Sequence, residues 1–145
     1  MTILTETVAR LLLLPILVVA VAVLVKGYAD VGDGFSAGVI AAMGILLQYV
    51  ACGYQKVERR FPVHLASKAA VAGLLLALLV VFGPLLLGQP LLTHFPPAGE
   101  AEVFHLGTLE LHSAILFDVG IFLLIAGFLV FVMDLVARVA DERLS

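Results

Sequence analysis

The sequence predicts an all-α membrane protein with four transmembrane helices and both termini in the cytoplasm. Of its 145 residues, 63% are hydrophobic and only 13% are charged. A soluble domain carries about 25% charged residues, so most of this chain must avoid water. The mean hydropathy is +1.19. The length suits one transmembrane domain over residues 1–145 and leaves no room for a separate soluble domain.

Four apolar runs are long enough, or nearly so, to span a bilayer. A helix needs about 20 mostly apolar residues to cross a hydrocarbon core of about 30 Å. The predicted spans are 8–25, 35–52, 65–87 and 111–135. Their apolar character is continuous rather than alternating, and they are much longer than strands, so transmembrane helices are favoured over β-strands.

The distribution of basic residues predicts the topology. If both termini lie on one side, that side also holds the loop between the second and third spans. It then contains all but one of the eight Lys and Arg residues: Arg10, Lys56, Arg59, Arg60, Lys68, Arg138 and Arg143. Only Lys26 lies on the other side. Short cytoplasmic loops are enriched in Lys and Arg, so both termini are predicted to be cytoplasmic.

Small residues recur at helical spacing in the second and third spans. Gly34, Gly38 and Ala42 follow one another every four residues, and Gly73 lies in a similar series in the third span. In lipid, small residues allow two helices to approach closely, and this packing drives helix association. We therefore predict a helix-packing role for these four residues and expect the glycine-rich stretch to dock the chain onto another subunit. Gln48 is also expected to seek a partner helix.

Asp118 is the strongest candidate for a role in ion or proton transfer. If the fourth helix enters the membrane near Leu111, a rise of 1.5 Å per residue places Asp118 about 10 Å deep. A charged aspartate at the centre of a span costs about 2.5–3.5 kcal/mol on insertion scales, and such residues often mark ion or proton routes. The alternative is a protonated or hydrogen-bonded aspartate that only fixes helix packing. Both interpretations remain open from the residues alone.

Glu110 and His112 are the other ion-path candidates, near the outer mouth of the same helix. Glu110 lies about 80° around the helix from Asp118, whereas His112 lies about 240° away. Because histidine titrates near neutrality, the two residues are candidates for passing protons towards Asp118. The alternative is that they are interfacial polar residues in contact with water.

No metal or cofactor site is predicted. His105, Glu110 and His112 lack the helical i, i+4 pair and the cysteine partner that would favour a metal site. Asp30 and Asp33 lie beside Gly32 and Gly34 and are candidates to bind a cation together with backbone carbonyls. No EF-hand spacing is present, however, and glycine with aspartate is ordinary turn chemistry, so a turn is favoured. The net charge of −3 is too small and too scattered to suggest nucleic acid as a partner.

Three segments together indicate a family. Residues 32–38 (GDGFSAG), 47–51 (LQYVA) and 112–120 (HSAILFDVG) resemble, in order and spacing, the MnhB-type domain of Mrp-type cation/proton antiporters, which is their B-type component. The resemblance covers the second to fourth spans. Within it, Gly34, Gly38, His112 and Asp118 match residues of the family's motifs. Phe35 matches as well, and the resemblance adds it to the predicted helix-packing residues.

The resemblance implies a small, non-redox transporter subunit rather than an enzyme. Its complex would lie in the inner (plasma) membrane of a prokaryote and exchange protons for Na⁺ or a similar cation. The implied partners are complex I-like antiporter subunits and other small membrane subunits, together with the lipid bilayer. This subunit would pack beside them and line part of the cation path.

Two alternatives belong to other classes. One is a structural subunit of a membrane-bound hydrogenase-type redox complex with a related antiporter module, in which Asp118 only supports packing. The other is a free-standing small transporter that forms a homo-oligomer. Internal pseudo-symmetry would favour the latter, and the sequence shows no internal repeat.

Overall fold

The computed structural model describes residues 2–26, 33–86, 88 and 103–145, with the side chains of 84 and 103–112 outside that description. Within these residues the chain forms helices: α1 (Ile3–Lys26), α2 (Asp33–Cys52), α3 (Tyr54–Arg60), a 3-10 turn (Val63–Leu65), α4 (Ala66–Leu86) and α5 (Val103–Leu144). Four of them are long and apolar enough to cross a membrane: α1, α2, α4 with its preceding turn, and α5. The predicted all-α fold with four membrane-spanning helices is confirmed.

Three of the four long helices, α1, α2 and α5, extend beyond the predicted spans, whereas α4 lies within the predicted 65–87. The largest difference is in α5, which has 42 residues and is therefore about 63 Å long at 1.5 Å per residue. That length is about twice the hydrocarbon thickness of a bilayer. A helix end is therefore not a membrane boundary here, and the span bounds 8–25, 35–52, 65–87 and 111–135 stay predictions.

The four long helices pack in the order α1, α2, α5, α4. α5 lies between α2 and α4, and α1 packs chiefly on α2. α2 therefore has neighbours on two sides, and it carries more of the described buried residues than any other helix: Gly34, Ala37, Gly38, Ala41, Ala42, Gly44, Gln48, Tyr49 and Ala51. In α1 the buried residues are Ala9 and Ala20. The helices at the two ends of the row therefore present broad apolar surfaces to their surroundings.

Gly34 and Gly38 of α2 and Gly73 of α4 face α5 of the same chain, whereas Gly44 of α2 faces α1. A Cβ atom built on Gly38 would lie 3.0 Å from the Ile125 Cβ atom and 3.1 Å from the Phe122 carbonyl oxygen. A Cβ atom on Gly73 would lie 2.5 Å from both the Gly120 carbonyl oxygen and the Leu124 amide nitrogen. Glycine is thus what lets these backbones approach.

This arrangement changes the expected role of the glycine-rich stretch. The close helix approach is present, but the described contacts of Gly34, Gly38 and Gly73 lie within this chain rather than on another subunit. Ala42 is fully buried in a core cluster that includes Tyr49 and Val130. Phe35 differs from the other predicted packing residues, because its side chain is 55% exposed and faces away from these contacts.

The start of α1, the helix α3 and the end of α5 lie at one end of the molecule. The Lys56 Nζ atom of α3 is 2.6 Å from Glu6 Oε1 of α1. Gln55 of α3 donates a hydrogen bond to Asp141 Oδ2 of α5 at 3.3 Å. We call this the basic end. Both chain ends therefore lie on the same side of the helix row, and the cytoplasmic assignment of that side stays a prediction.

Candidate functional site

Asp118 lies where α2 begins to pack against α5. It is 4% exposed, although it carries a carboxyl group within an apolar run. A Cβ atom built on Gly34 would collide with the Asp118 carbonyl oxygen. Only a residue without a side chain fits at this point of α2. The first turn of α2 thus covers the backbone of Asp118 and helps to keep this residue away from solvent.

A cavity of about 210 Å³ lies beside Asp118. Its described lining residues are Leu24 and Val25 of α1 and Ile115, Asp118 and Val119 of α5. Asp118 is the acidic residue of this set, and the other four are apolar. A volume of this size with a polar group in its wall has room for water or for a small cation. The geometry is therefore compatible with a carboxyl group that exchanges a proton or an ion.

Asp33 departs from the turn role that its sequence context suggested. It is the first residue of α2, one position before the glycine that covers Asp118. An acidic residue is favourable at a helix N-terminus because of the helix dipole. Its Oδ2 atom is buried and has no hydrogen-bond partner in the described part of the chain. Sequence reasoning assigned Asp33 to a turn and gave no signal for this burial, and Asp30 lies outside the described residues.

Glu110 and His112 are part of α5, but their side chains lie outside the described residues. The structure extends the helix through both positions without a break. Their helical spacing from Asp118 is therefore the spacing used in the sequence analysis. Contact between these side chains and Asp118 stays a prediction.

A second polar cluster, at the basic end, was not predicted. Tyr49 of α2 donates a hydrogen bond through its hydroxyl group to Asp134 Oδ1 of α5 at 2.9 Å. The other oxygen of Asp134 lies 3.9 Å from the Arg138 guanidinium. Arg138 Nε donates to the Tyr54 hydroxyl oxygen at 3.2 Å. The sequence signal for this cluster was the i, i+4 spacing of Asp134 and Arg138. The partners on α2 and α3 could not be inferred from it.

Gln48 finds its partner helix within this chain. Its side-chain amide donates to the Ala9 carbonyl oxygen of α1 at 2.6 Å, and the residue is 2% exposed. Within the described residues, no three His, Cys, Asp or Glu side chains are close enough to bind a metal ion together.

Comparison with known proteins shows the family of this chain. A family model described as a domain related to the MnhB subunit of Na⁺/H⁺ antiporters matches residues 4–131. The chain belongs to this family. The matched region contains Gly34, Gly38, Gly73 and Asp118, and the resemblance identified from the sequence is confirmed.

Three relatives illustrate the family. The B subunit of the Na⁺/H⁺ antiporter of Alkalihalophilus pseudofirmus is 32% identical over 125 residues, which cover 86% of this chain and 85% of the relative. The corresponding B subunit of Bacillus subtilis is 31% identical over 138 residues, which cover 95% of this chain and 92% of the relative. The A/B subunit of a probable K⁺/H⁺ antiporter of Rhizobium meliloti is 34% identical over 113 residues, 78% of this chain but 11% of that longer protein.

Proposed function

We propose that this chain is a small membrane subunit of a multi-subunit, Mrp-type cation/proton antiporter. Family membership over residues 4–131 supports this function. Two relatives covered over most of their length are named as B subunits of Na⁺/H⁺ antiporters, which favours Na⁺ as the exchanged cation. The Rhizobium relative is named for K⁺, so the experiment below includes both ions.

We place Asp118 on the ion path. The observation that carries this role is a carboxyl group that is 4% exposed and borders a cavity of about 210 Å³ in an otherwise apolar region. Burial of a carboxylate is costly, and the cost falls when the group takes up a proton or a cation. A group whose charge is costly in this way is suited to binding a proton and a cation alternately.

Asp33 is a second acidic group for the same path. The residue after it packs on the Asp118 backbone, so the two aspartates belong to one layer of the helix row. Its buried Oδ2 atom has no hydrogen-bond partner in the described residues, so this oxygen is free to accept a contact from a bound cation or a water molecule. Glu110 and His112 would supply protons from the outer side.

The complex would lie in the plasma membrane of a prokaryote, with the basic end in the cytoplasm. The positive-inside rule supports this orientation, because all but one of the Lys and Arg residues lie in α3 or towards the ends of the long helices on that side. Complex I-like subunits and other small subunits would pack on the outer faces of the helix row. Large apolar side chains are exposed there on both terminal helices, Leu11 and Val18 on α1 and Leu75 and Leu79 on α4.

Replacement of Asp118 by asparagine in the intact complex tests the proposed ion-path role. Asparagine keeps the size of the side chain but cannot release a proton or neutralise a cation. We expect Asp118→Asn to lose most of the Na⁺- or K⁺-driven proton exchange, measured with a pH-sensitive dye in everted membrane vesicles. The amounts of all subunits in the purified complex should be unchanged.

Asp141→Asn is the matched control, because Asp141 is a partly exposed acid on the same helix at the basic end, away from the cavity beside Asp118. This variant should retain normal exchange. Normal exchange by the Asp118 variant would remove Asp118 from the path. Loss of the complex from the membrane would instead show that Asp118 supports packing, as in the alternative interpretation.

A further inference from the structure

An apolar groove opens between α2, α5 and the start of α4 near the basic end. Its volume is about 260 Å³. Its lining side chains are apolar and include Ile45, Phe61, Val63, Ala69, Ala126 and Val130. Ligand pockets usually have volumes of about 300–1,000 Å³, so this groove is large enough for only part of a lipid-sized molecule.

A small cationic pocket adjoins this groove. Arg10, Lys56 and Arg60 line it, together with Gln48 and Cys52, and its volume is about 10 Å³. That volume holds about one water molecule, so a larger anion would lie at the rim of the pocket. The Glu6 carboxylate lies 2.6 Å from Lys56 and 3.5 Å from Arg10. One carboxylate among three cations leaves this cluster positively charged.

Phe61 joins the two cavities, since it lines both. The Arg60 guanidinium lies 5.9 Å from the centre of the Phe61 ring, within the range of a cation–π contact. On α2, Ile45 borders the groove, and Gln48 and Cys52 border the pocket. These three residues are spaced i, i+3 and i+7, so they share one helix face. The apolar groove and the cationic pocket therefore follow one another along the same face of α2.

We propose that this combined site binds one anionic phospholipid from the leaflet at the basic end. One acyl chain occupies the groove, and the phosphate lies at the rim of the pocket, near Arg60, Lys56 and Arg10. Ile45 is seven residues from Cys52, about 10 Å along the helix, so the groove leads from the charged rim towards the bilayer centre. A neighbouring transmembrane helix would fill the groove but would supply no counter-charge for the net positive charge of the pocket beside it.

The chemistry of the site favours this occupant over a free anion. A phosphate ion would use the cations and leave the adjoining groove without an occupant. A phospholipid satisfies both parts, because basic groups near a membrane surface attract anionic headgroups. This proposal needs only a chain that spans the membrane, so it does not depend on the ion exchange proposed above.

The test compares phosphatidylglycerol with phosphatidylcholine around the intact complex in nanodiscs. Spin-labelled lipids of both kinds report how strongly each associates with the protein. Arg60→Gln should lower the preference for phosphatidylglycerol about fivefold, since one basic residue near an anionic surface is worth about 1 kcal/mol. Arg60→Lys should keep the preference. Arg143→Gln removes the same charge at the same end but away from the site, and it should leave the preference unchanged.

A second variant tests the groove. Ala69→Leu fills part of the groove without altering charge, and it should weaken the association of phosphatidylglycerol while the complex stays assembled. Equal association of both lipids with the unaltered complex would overturn the proposal. The proposal would also be overturned if added inorganic phosphate abolished the preference for phosphatidylglycerol, because the site would then bind a free anion. Loss of a neighbouring subunit from the Ala69→Leu complex, with lipid binding unchanged, would assign the groove to protein and would also overturn it.

Discussion

Two stretches of α5 are held in different ways. Along 118–127, its backbone contacts glycines or alanines of its neighbours, with Gly34 and Gly38 on one side and Gly73 on the other. Along 134–141, polar side chains form the contacts: Tyr49 with Asp134, Tyr54 with Arg138, and Gln55 with Asp141. The first stretch depends on the absence of side-chain atoms and the second on their presence.

This difference separates the roles of two acids on α5, Asp118 and Asp134. Asp134 accepts a hydrogen bond from Tyr49 and lies next to Arg138, so its charge is used to connect helices at the basic end. At Asp118 the helix contact is made by the backbone against Gly34, and the carboxyl group belongs to a residue that lines a cavity. Asp134 thus connects helices through its side chain, whereas Asp118 borders a cavity between α1 and α5.

The largest effect on stability is expected at Gly73. Gly73→Ala places a Cβ atom 2.5 Å from backbone atoms of Gly120 and Leu124, and backbone cannot move aside as a flexible side chain can. Overpacking of this kind costs about 1–3 kcal/mol. We expect that loss in the free energy of unfolding of the purified chain, measured by circular dichroism during transfer from mild detergent into SDS.

Gly83→Ala is the matched control on the same helix. A Cβ atom at Gly83 would meet nothing within 4 Å. Alanine also favours helix over glycine by about 0.5–1 kcal/mol. This variant should therefore be as stable as the natural chain or slightly more stable. Equal losses at Gly73 and Gly83 would contradict the backbone-contact account of the 118–127 stretch.

The sequence was sufficient to predict the four helices and the small-residue series, because both depend on local composition and spacing. It could not assign the partner of each series. Spacing shows that Gly34 and Gly38 share a face of α2, but not that this face meets α5 of the same chain. Phe35 was grouped with them by resemblance, yet it is exposed.

The contacts of the basic end were missed for the same physical reason. Tyr49 and Asp134 are 85 positions apart, and only the folded arrangement brings their side chains together. The burial of the Asp33 carboxylate oxygen likewise depends on the docking of α2 rather than on its own glycine-rich context. Asp118 could be singled out because an acidic residue inside a long apolar run is conspicuous without knowledge of its neighbours.

The next largest effect is expected at Tyr49. Tyr49→Phe removes the hydrogen bond to Asp134 and keeps the ring in the core. The free energy of unfolding should fall by about 1.5 kcal/mol. This value is at the low end of the range for hydrogen bonds to charged groups and near the top of the range for hydrogen bonds between helices in a membrane. The same unfolding measurement checks it. Cation/proton exchange per assembled complex should be unchanged, in contrast to Asp118→Asn, and a loss of exchange would extend the functional region to the basic end.

Gln48 should contribute less than Tyr49. Gln48→Met keeps a similar volume and removes the hydrogen bond to the Ala9 carbonyl oxygen. That oxygen keeps its partner within α1, because a carbonyl oxygen inside an α-helix accepts a hydrogen bond from the amide of the residue four positions later. We expect a loss of about 0.6 kcal/mol, the mean for interhelical hydrogen bonds in a membrane protein. A loss several times larger in the unfolding experiment would show that Gln48 supports more than this single contact.

The smallest effect is expected at the ion pair between Glu6 and Lys56. The atoms are only 2.6 Å apart, but the Lys56 side chain is 57% exposed, so water and salt screen the attraction. This can be checked with the single variants Glu6→Gln and Lys56→Gln and their double variant, unfolded by heat in a neutral detergent. At high salt, their stabilities should agree within experimental error. A weak coupling should be detectable only at low salt. A coupling that persists at high salt would mean that water does not reach this pair, and that the basic end is held as firmly as the glycine-packed stretch of α5.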